Sequence, residues 1–178
     1  MAETGELTTD HVDRFLEEIA DELPPIDLEV EGIVDRICSL HKRFLRLADE
    51  TIGEFGLSDG EWKVLKHLRK AGPPYRRSAG QLAKRSELSS GAMTNRLDRM
   101  EEAGLIRRLA DPGDRRKVVV ELTDHGRETY RSAVGVQAQK EALVAAALNE
   151  REKAQLNGLL RQLMIEFERR EGSRPDDC

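Results

Sequence analysis

Residues 78–126 read SAGQLAKRSELSSGAMTNRLDRMEEAGLIRRLADPGDRRKVVVELTDHG, and this stretch decides the fold. Ser78 and, three residues on, Gln81 make a capping box that opens a short helix running to about Arg85. Glu87-Leu88-Ser89 is a turn. From Ser90 to Ala103 a second helix carries Met93, Leu97 and Met100 on one face, which must point inward, and Gly104 stops it. Leu105–Leu109 and Lys117–Leu122 then read as strands around Asp111-Pro112-Gly113-Asp114, a segment of strong turn chemistry. Thr123 or Asp124 caps the helix that follows.

Helix, tight turn, helix and basic hairpin in that order describe a winged helix-turn-helix, an arrangement that reads duplex DNA. Charge supports the reading. The chain is acidic overall, with 29 Lys+Arg against 34 Asp+Glu. Between Trp62 and Val120, however, 15 basic residues face 6 acidic ones, net +9, and the remainder is net −14. A positive block inside an acidic protein is the footprint of a polyanion partner.

The outward face of the second helix presents Gly91, Thr94, Asn95 and Asp98, with Arg96 and Arg99 on its flanks and Ser89 and Ser90 ahead of it. A small, polar helix start suits end-on entry into a major groove, where free N–H groups and hydroxyls, including that of Ser78, meet phosphates. Asn95 suits an adenine edge, Arg96 a guanine edge or a phosphate, and Thr94 a thymine methyl. Asp98 would repel phosphate, so its expected role is to orient Arg99 or Arg96. On the hairpin, Asp114 is placed to fix a guanidinium while Arg115 and Arg116 reach into the minor groove.

Helices flank this module. Val12, Phe15, Leu16, Ile19 and Leu23 form an apolar stripe over Thr9–Leu23, ended by Pro24-Pro25. Val30, Ile33, Ile37, Leu40, Phe44 and Leu47 make a helix-to-helix seam over Leu28–Glu54. Ser58 with Glu61 is another capping box, and Leu57 with Trp62 a hydrophobic staple, for a helix to about Lys70. A helix of roughly 25 residues after Asp124 and one near Asn149–Arg170, with Leu156, Leu159, Leu160, Leu163, Met164 and Phe167 on one face, complete the chain. The expected class is therefore mainly α: a winged helix-turn-helix with N- and C-terminal dimerisation helices and a small β-hairpin wing. The expected division is 1–55 as dimerisation arm, 56–123 as DNA-binding domain and 124–178 as C-terminal dimerisation helices.

The carrying segments resemble the MarR family of regulators: Ser89 to Glu101, the wing Asp111-Pro112-Gly113-Asp114-Arg115-Arg116, and Leu122-Thr123-Asp124-His125-Gly126. Gly56-Leu57-Ser58 before a helix also fits. The resemblance spans about Ile33 to Phe167. It implies a homodimer that binds a palindromic operator, usually as a repressor, and is released by oxidation or by a small anionic or phenolic ligand. Gly60-Glu61-Trp62-Lys63-Val64-Leu65 and the additional N-terminal helix look like the urate-responsive branch of that family. Two residues depart from it: Thr9–Leu23 lacks the branch's tryptophan, and Lys63 stands where the branch has an acid. A lysine there suits a carboxylate ligand, with Trp62 as a pocket floor or plain packing, and His41 is a further candidate ligand residue.

Other chemistry is sparse. Cys38 on the long helix, with His41 one turn later, is either a redox-sensing thiol or a quiet, partly buried one, and Cys178 lies on the tail. His11, His41, His67 and His125 are scattered without a metal-ligand cluster. No Gly-rich phosphate loop or catalytic constellation is present, so neither a cofactor nor an enzymatic activity is expected. No apolar run approaches the ~18 residues of a membrane span, and the acidic N-terminus is unlike a signal peptide, which points to a cytoplasmic protein. The competing function is a non-catalytic protein–protein module, such as an anti-activator, that keeps the winged-helix shape.

Overall fold

The computed structural model describes residues 9–20, 26–110, 113 and 118–172. Among these, seven helices and three strands follow one another: α1 His11–Ile19, α2 Leu28–Glu54, α3 Asp59–Lys70, β1 Arg76–Ser78, α4 Ala79–Arg85, α5 Ser90–Glu102, β2 Ile106–Ala110, β3 Val118–Leu122, α6 Asp124–Ala145 and α7 Glu150–Glu171. The fold is mainly helical, as expected. Its two compact units are Met1–Thr129 and Tyr130–Cys178.

In the first unit the anticipated capping boxes are formed. Ser58 Oγ accepts from the Glu61 amide while Glu61 Oε2 accepts from the Ser58 amide at 2.8 Å. Ser78 and Gln81 do the same at the start of α4. The first helix begins two residues later than the sequence suggests, because Asp10 caps it in a reciprocal pair with Asp13. Arg36 of α2 then binds both carboxylates, and this clasp holds α1 on α2 beside the buried Val12. With Arg36 hydrogen-bonded to it, Asp10 is lowered from 3.8 to about 2.

The core of this unit lies under the helix-turn-helix. Val64, Leu65 and Leu68 of α3, Leu82 of α4, Met93, Leu97 and Met100 of α5, and Ile106 and Val120 of the sheet are all buried. Each large apolar side chain so enclosed contributes ~1.5–3 kcal/mol relative to exposure. The inward face read from the spacing of Met93, Leu97 and Met100 is therefore correct.

Both helices of the motif end in left-handed residues. Gly104 at φ +70° donates to Glu101 O and Leu105 to Met100 O, closing α5. Glu87 takes the same role after α4 at φ +53°, with Leu88 donating to Ala83 O. A side chain in that region is strained, so the turn between α4 and α5 is held by its surroundings.

The sheet order is β1-β3-β2, antiparallel throughout. Strand β1, a three-residue strand immediately ahead of α4, was absent from the sequence reading. It places Arg76 opposite Glu121, which on its other side faces Arg107. Glu121 is only 9% exposed, accepting from Arg107 at 2.6 Å and from Arg76 at 2.7 Å. These bonds, first that from Arg107, hold its carboxyl below the ordinary range despite burial.

The start of α6 is pressed against the loop after α5. Thr123 Oγ1 donates to Gly104 O at 2.6 Å and accepts from the Gly126 amide at 3.0 Å, and the Thr123 amide donates to Leu105 O. A Cβ on Gly126 would lie 2.1 Å from Leu105 O, which is why glycine is required there.

In the second unit, α7 has a capping box of Asn149 with Glu152 and no buried residue. Leu159, Leu160, Leu163 and Phe167 stand exposed along it. In the first unit, α2 likewise exposes Ile33, Ile37, Leu40 and Phe44.

Candidate nucleic-acid interface

The exposed half of α5 is built by its two ends. Ser89 caps the helix by accepting from Ala92 N at 3.3 Å, and the three buried residues anchor the opposite face. Ser90, Gly91, Thr94 and Asn95 are left on the surface. Thr94 donates its hydroxyl to Ser90 O at 2.9 Å, which turns its methyl outward from that bond. Ser78 and Ser89 use an oxygen lone pair for capping and keep a free O–H to give.

The flanking arginines are placed differently from one another. Arg99 stays largely exposed and meets Glu61 Oε1 at 3.5 Å. Arg96 is half-buried, with its guanidinium seated on Gly60 of α3, where an added Cβ would fall 2.1 Å from Cζ. Its Nε is buried without a hydrogen-bond partner.

Asp98 corrects the sequence reading. Its partner is neither Arg96 nor Arg99 but Arg108 of β2, whose Nη1 meets Asp98 Oδ1. Arg108 also reaches Glu101 Oε2 at 3.4 Å and donates from Nη2 to Thr94 O at 3.1 Å. The cross-strand pairs of Glu121 are a second set that sequence reasoning missed. Asp114, Arg115 and Arg116 of the wing lie outside the described residues, as does Cys178.

The expected ligand residues are not gathered around a described cavity. His41 is exposed on α2, Trp62 is half-buried on α3, and Lys63 is paired with Asp59 at 2.7 Å. A depression of about 290 Å³ lies instead by Asp10, His11, Arg36, Ser39, Leu40 and Arg43. Cys38 is exposed rather than partly buried. His67 is lowered below its usual value by burial, and then by the nearby Arg85 and Arg77. Among the described residues no group of three or more His, Cys, Asp and Glu is arranged for a metal ion, and no helix is long and apolar enough to cross a membrane.

A helix-turn-helix whose second helix is polar at its start and exposed, joined to a sheet with two strands leading to a basic hairpin segment, defines a winged-helix DNA-binding protein. The MarR family model matches residues 57–118. The HTH-type transcriptional regulator PecS of Dickeya dadantii (strain 3937) is 33% identical over 152 residues, covering 84% of this chain and 90% of PecS. The chain belongs to the MarR family and is a transcriptional regulator, not an enzyme. Apo MarR from E. coli is similar in structure, with TM-score 0.62 and 26% identity over 79% of this chain and 98% of that one. A mutant of S. aureus MepR, solved bound to an oligodeoxyribonucleotide, shares the fold with TM-score 0.62 at 19% identity, over 77% of this chain and 97% of that one.

Proposed function

We propose that the protein is a homodimeric, ligand-responsive repressor that binds a palindromic operator. The observation that carries this reading is the exposed, serine-capped start of α5 within a stretch of net charge +9. Ser90, Thr94 and Asn95 face base edges in the major groove, while Ser78, Ser89 and Arg99 contact phosphates. Arg96 joins them by swinging off Gly60, where its Nε has no hydrogen bond to break. Arg115 and Arg116 enter the minor groove, with Asp114 orienting one of them. The oligonucleotide-bound MepR, of the same fold, supports this mode of use.

Dimerisation is supported by the apolar faces of α2 and α7, whose exposed leucines, isoleucines and phenylalanines exceed the scattered apolar residues of an ordinary surface. In a palindromic complex the two copies of α5 must sit one DNA turn apart, ~34 Å. A small anionic or phenolic effector acting through His41, Trp62 and Lys63 would favour another spacing, and ~1–3 kcal/mol of coupling is typical. The test is to select bound fragments from the genome, then measure gel shifts with and without candidate effectors, and mass by light scattering. A monomer that ignores every duplex at low salt refutes the proposal.

A further inference from the structure

We infer that Asp98 and Arg108 form a brace that sets the wing strand against α5, acting as positioning residues for DNA recognition without contacting DNA; this rests on the DNA-binding reading above. Both terminal nitrogens of the Arg108 guanidinium are engaged by its own chain. Nη1 lies between Asp98 and Glu101, and Nη2 is given to Thr94 O. The backbone N–H of the same residue donates to Glu101 Oε1 at 2.8 Å, so Glu101 grips both the main chain and the side chain. The Arg108 side chain is 26% exposed, the most enclosed cation among the ion pairs described.

The direction of the constraint follows from the strands. Arg108 lies opposite Val120, which is wholly buried, so β2 cannot slide along β3 at this point. The chain continues from β2 to the basic segment 114–117. The three acceptors Thr94, Asp98 and Glu101 occupy successive turns of one face of α5, and a planar fork that meets all of them fixes both distance and rotation. The brace therefore sets the course of β2, the strand that precedes the wing segment in the chain, when α5 is in its groove. It also accounts for a carboxylate on a helix that approaches phosphates: Asp98 is neutralised by an arginine of its own chain.

The experiment uses the full chain, the tightest duplex that the wild type selects from a random pool, and a scrambled duplex. Arg108→Lys keeps the charge and loses the fork; Arg108→Met loses both. Both are expected to weaken the selected duplex about tenfold, the scale of one charge-assisted hydrogen bond, with little effect on the scrambled one. The salt dependence is expected to stay that of the wild type. A phosphate contact would instead leave Lys nearly as good as Arg, and Met would reduce the log–log salt slope by about 0.9 per contact. Asp98→Asn is expected to weaken binding, where a merely repulsive carboxylate would give tighter binding on removal. The double variant Asp98→Asn with Arg108→Met is expected to be no weaker than Arg108→Met alone. Additive losses, tightening by Asp98→Asn or a reduced slope each overturn the brace. Should Arg108→Met fail to melt cooperatively, Arg108→Lys and Asp98→Asn decide alone. A wild type that binds no duplex refutes DNA binding itself, which is a separate outcome from variants that bind as well as a competent wild type.

Discussion

Replacing Gly126 by alanine tests the docking of α6 on the recognition module with the smallest possible perturbation. The added Cβ would lie 2.1 Å from the Leu105 carbonyl oxygen, 2.9 Å from its carbon and 2.9 Å from Leu122 Cδ1. Two of these three are backbone atoms, so no rotamer change relieves the clash. The helix start must lift by about 1 Å, and overpacking of this kind costs ~1–3 kcal/mol. Lifting also stretches the set Thr123 Oγ1 to Gly104 O, Thr123 N to Leu105 O and Gly126 N to Thr123 Oγ1, and one lost bond adds ~1 kcal/mol. Alanine returns up to ~1 kcal/mol of helix propensity over glycine. The net expectation is a loss of roughly 1–3 kcal/mol. Urea unfolding followed by circular dichroism, at one fixed protein concentration because a dimer's stability depends on it, should show a lower midpoint with an unchanged slope. Gly80→Ala is the control. Nothing lies within 4 Å of its added Cβ, and the midpoint should stay or rise. If Gly126→Ala melts at the wild-type midpoint or above, the close approach of α6 to Leu105 is wrong.

Relief of backbone strain makes a second expectation: Glu87→Gly, at φ +53°, should stabilise by roughly 1 kcal/mol in the same assay, and a loss would show that the Glu87 side chain contributes more than its strain costs. Acid should release α1. Asp10 is depressed to about 2 from 3.8, so the stability it lends is complete above about pH 4 and disappears as pH falls toward 2; hydrogen exchange should show α1 amides losing protection in that window, and Arg36→Ala should expose them at neutral pH. Burial of His67 acts in the same sense nearer neutrality: its folded value is below the unfolded 6.5, so stability should decline as pH drops below that point, and His67→Gln should flatten the decline. Affinity for duplex DNA should fall steeply with salt, and a flat anisotropy titration would contradict phosphate-led binding.

Legibility in the sequence followed the range of the interaction. Features set within four residues, such as the capping boxes of Ser58 and Ser78 or the inward triplet Met93, Leu97 and Met100, were readable because local geometry and helical period determine them. The turn at Glu87 was placed correctly, although nothing in a glutamate announces a left-handed residue. Pairings across the chain left no such trace. Arg76 and Glu121 are 45 positions apart, and strand β1 is too short to show alternation. The partner of Asp98 was sought among the arginines of its own helix, the nearest in sequence, while sheet register brought Arg108 closer. Of the two readings of Cys38, a redox-sensing thiol or a quiet, partly buried one, the burial in the second does not hold, since the residue is exposed. The seat of Arg96 had one readable sign, a glycine in the first turn of α3, where a side chain would ordinarily be favoured.

Glu61 does two unrelated things with its two oxygens. Oε2 closes the start of α3 through Ser58, and Oε1 reaches across to Arg99 on α5. Glutamine preserves the first and forfeits the charge of the second; aspartate can close a helix start, as Asp13 does for α1, but sets its carboxylate one methylene further from Arg99. Drift at this position is thus policed twice, once by folding and once by the attitude of the recognition helix. A lineage that changes how it reads DNA by altering Arg99 still needs an acceptor of this reach here, carboxylate or amide, because it closes the start of α3 as Gln81 closes that of α4.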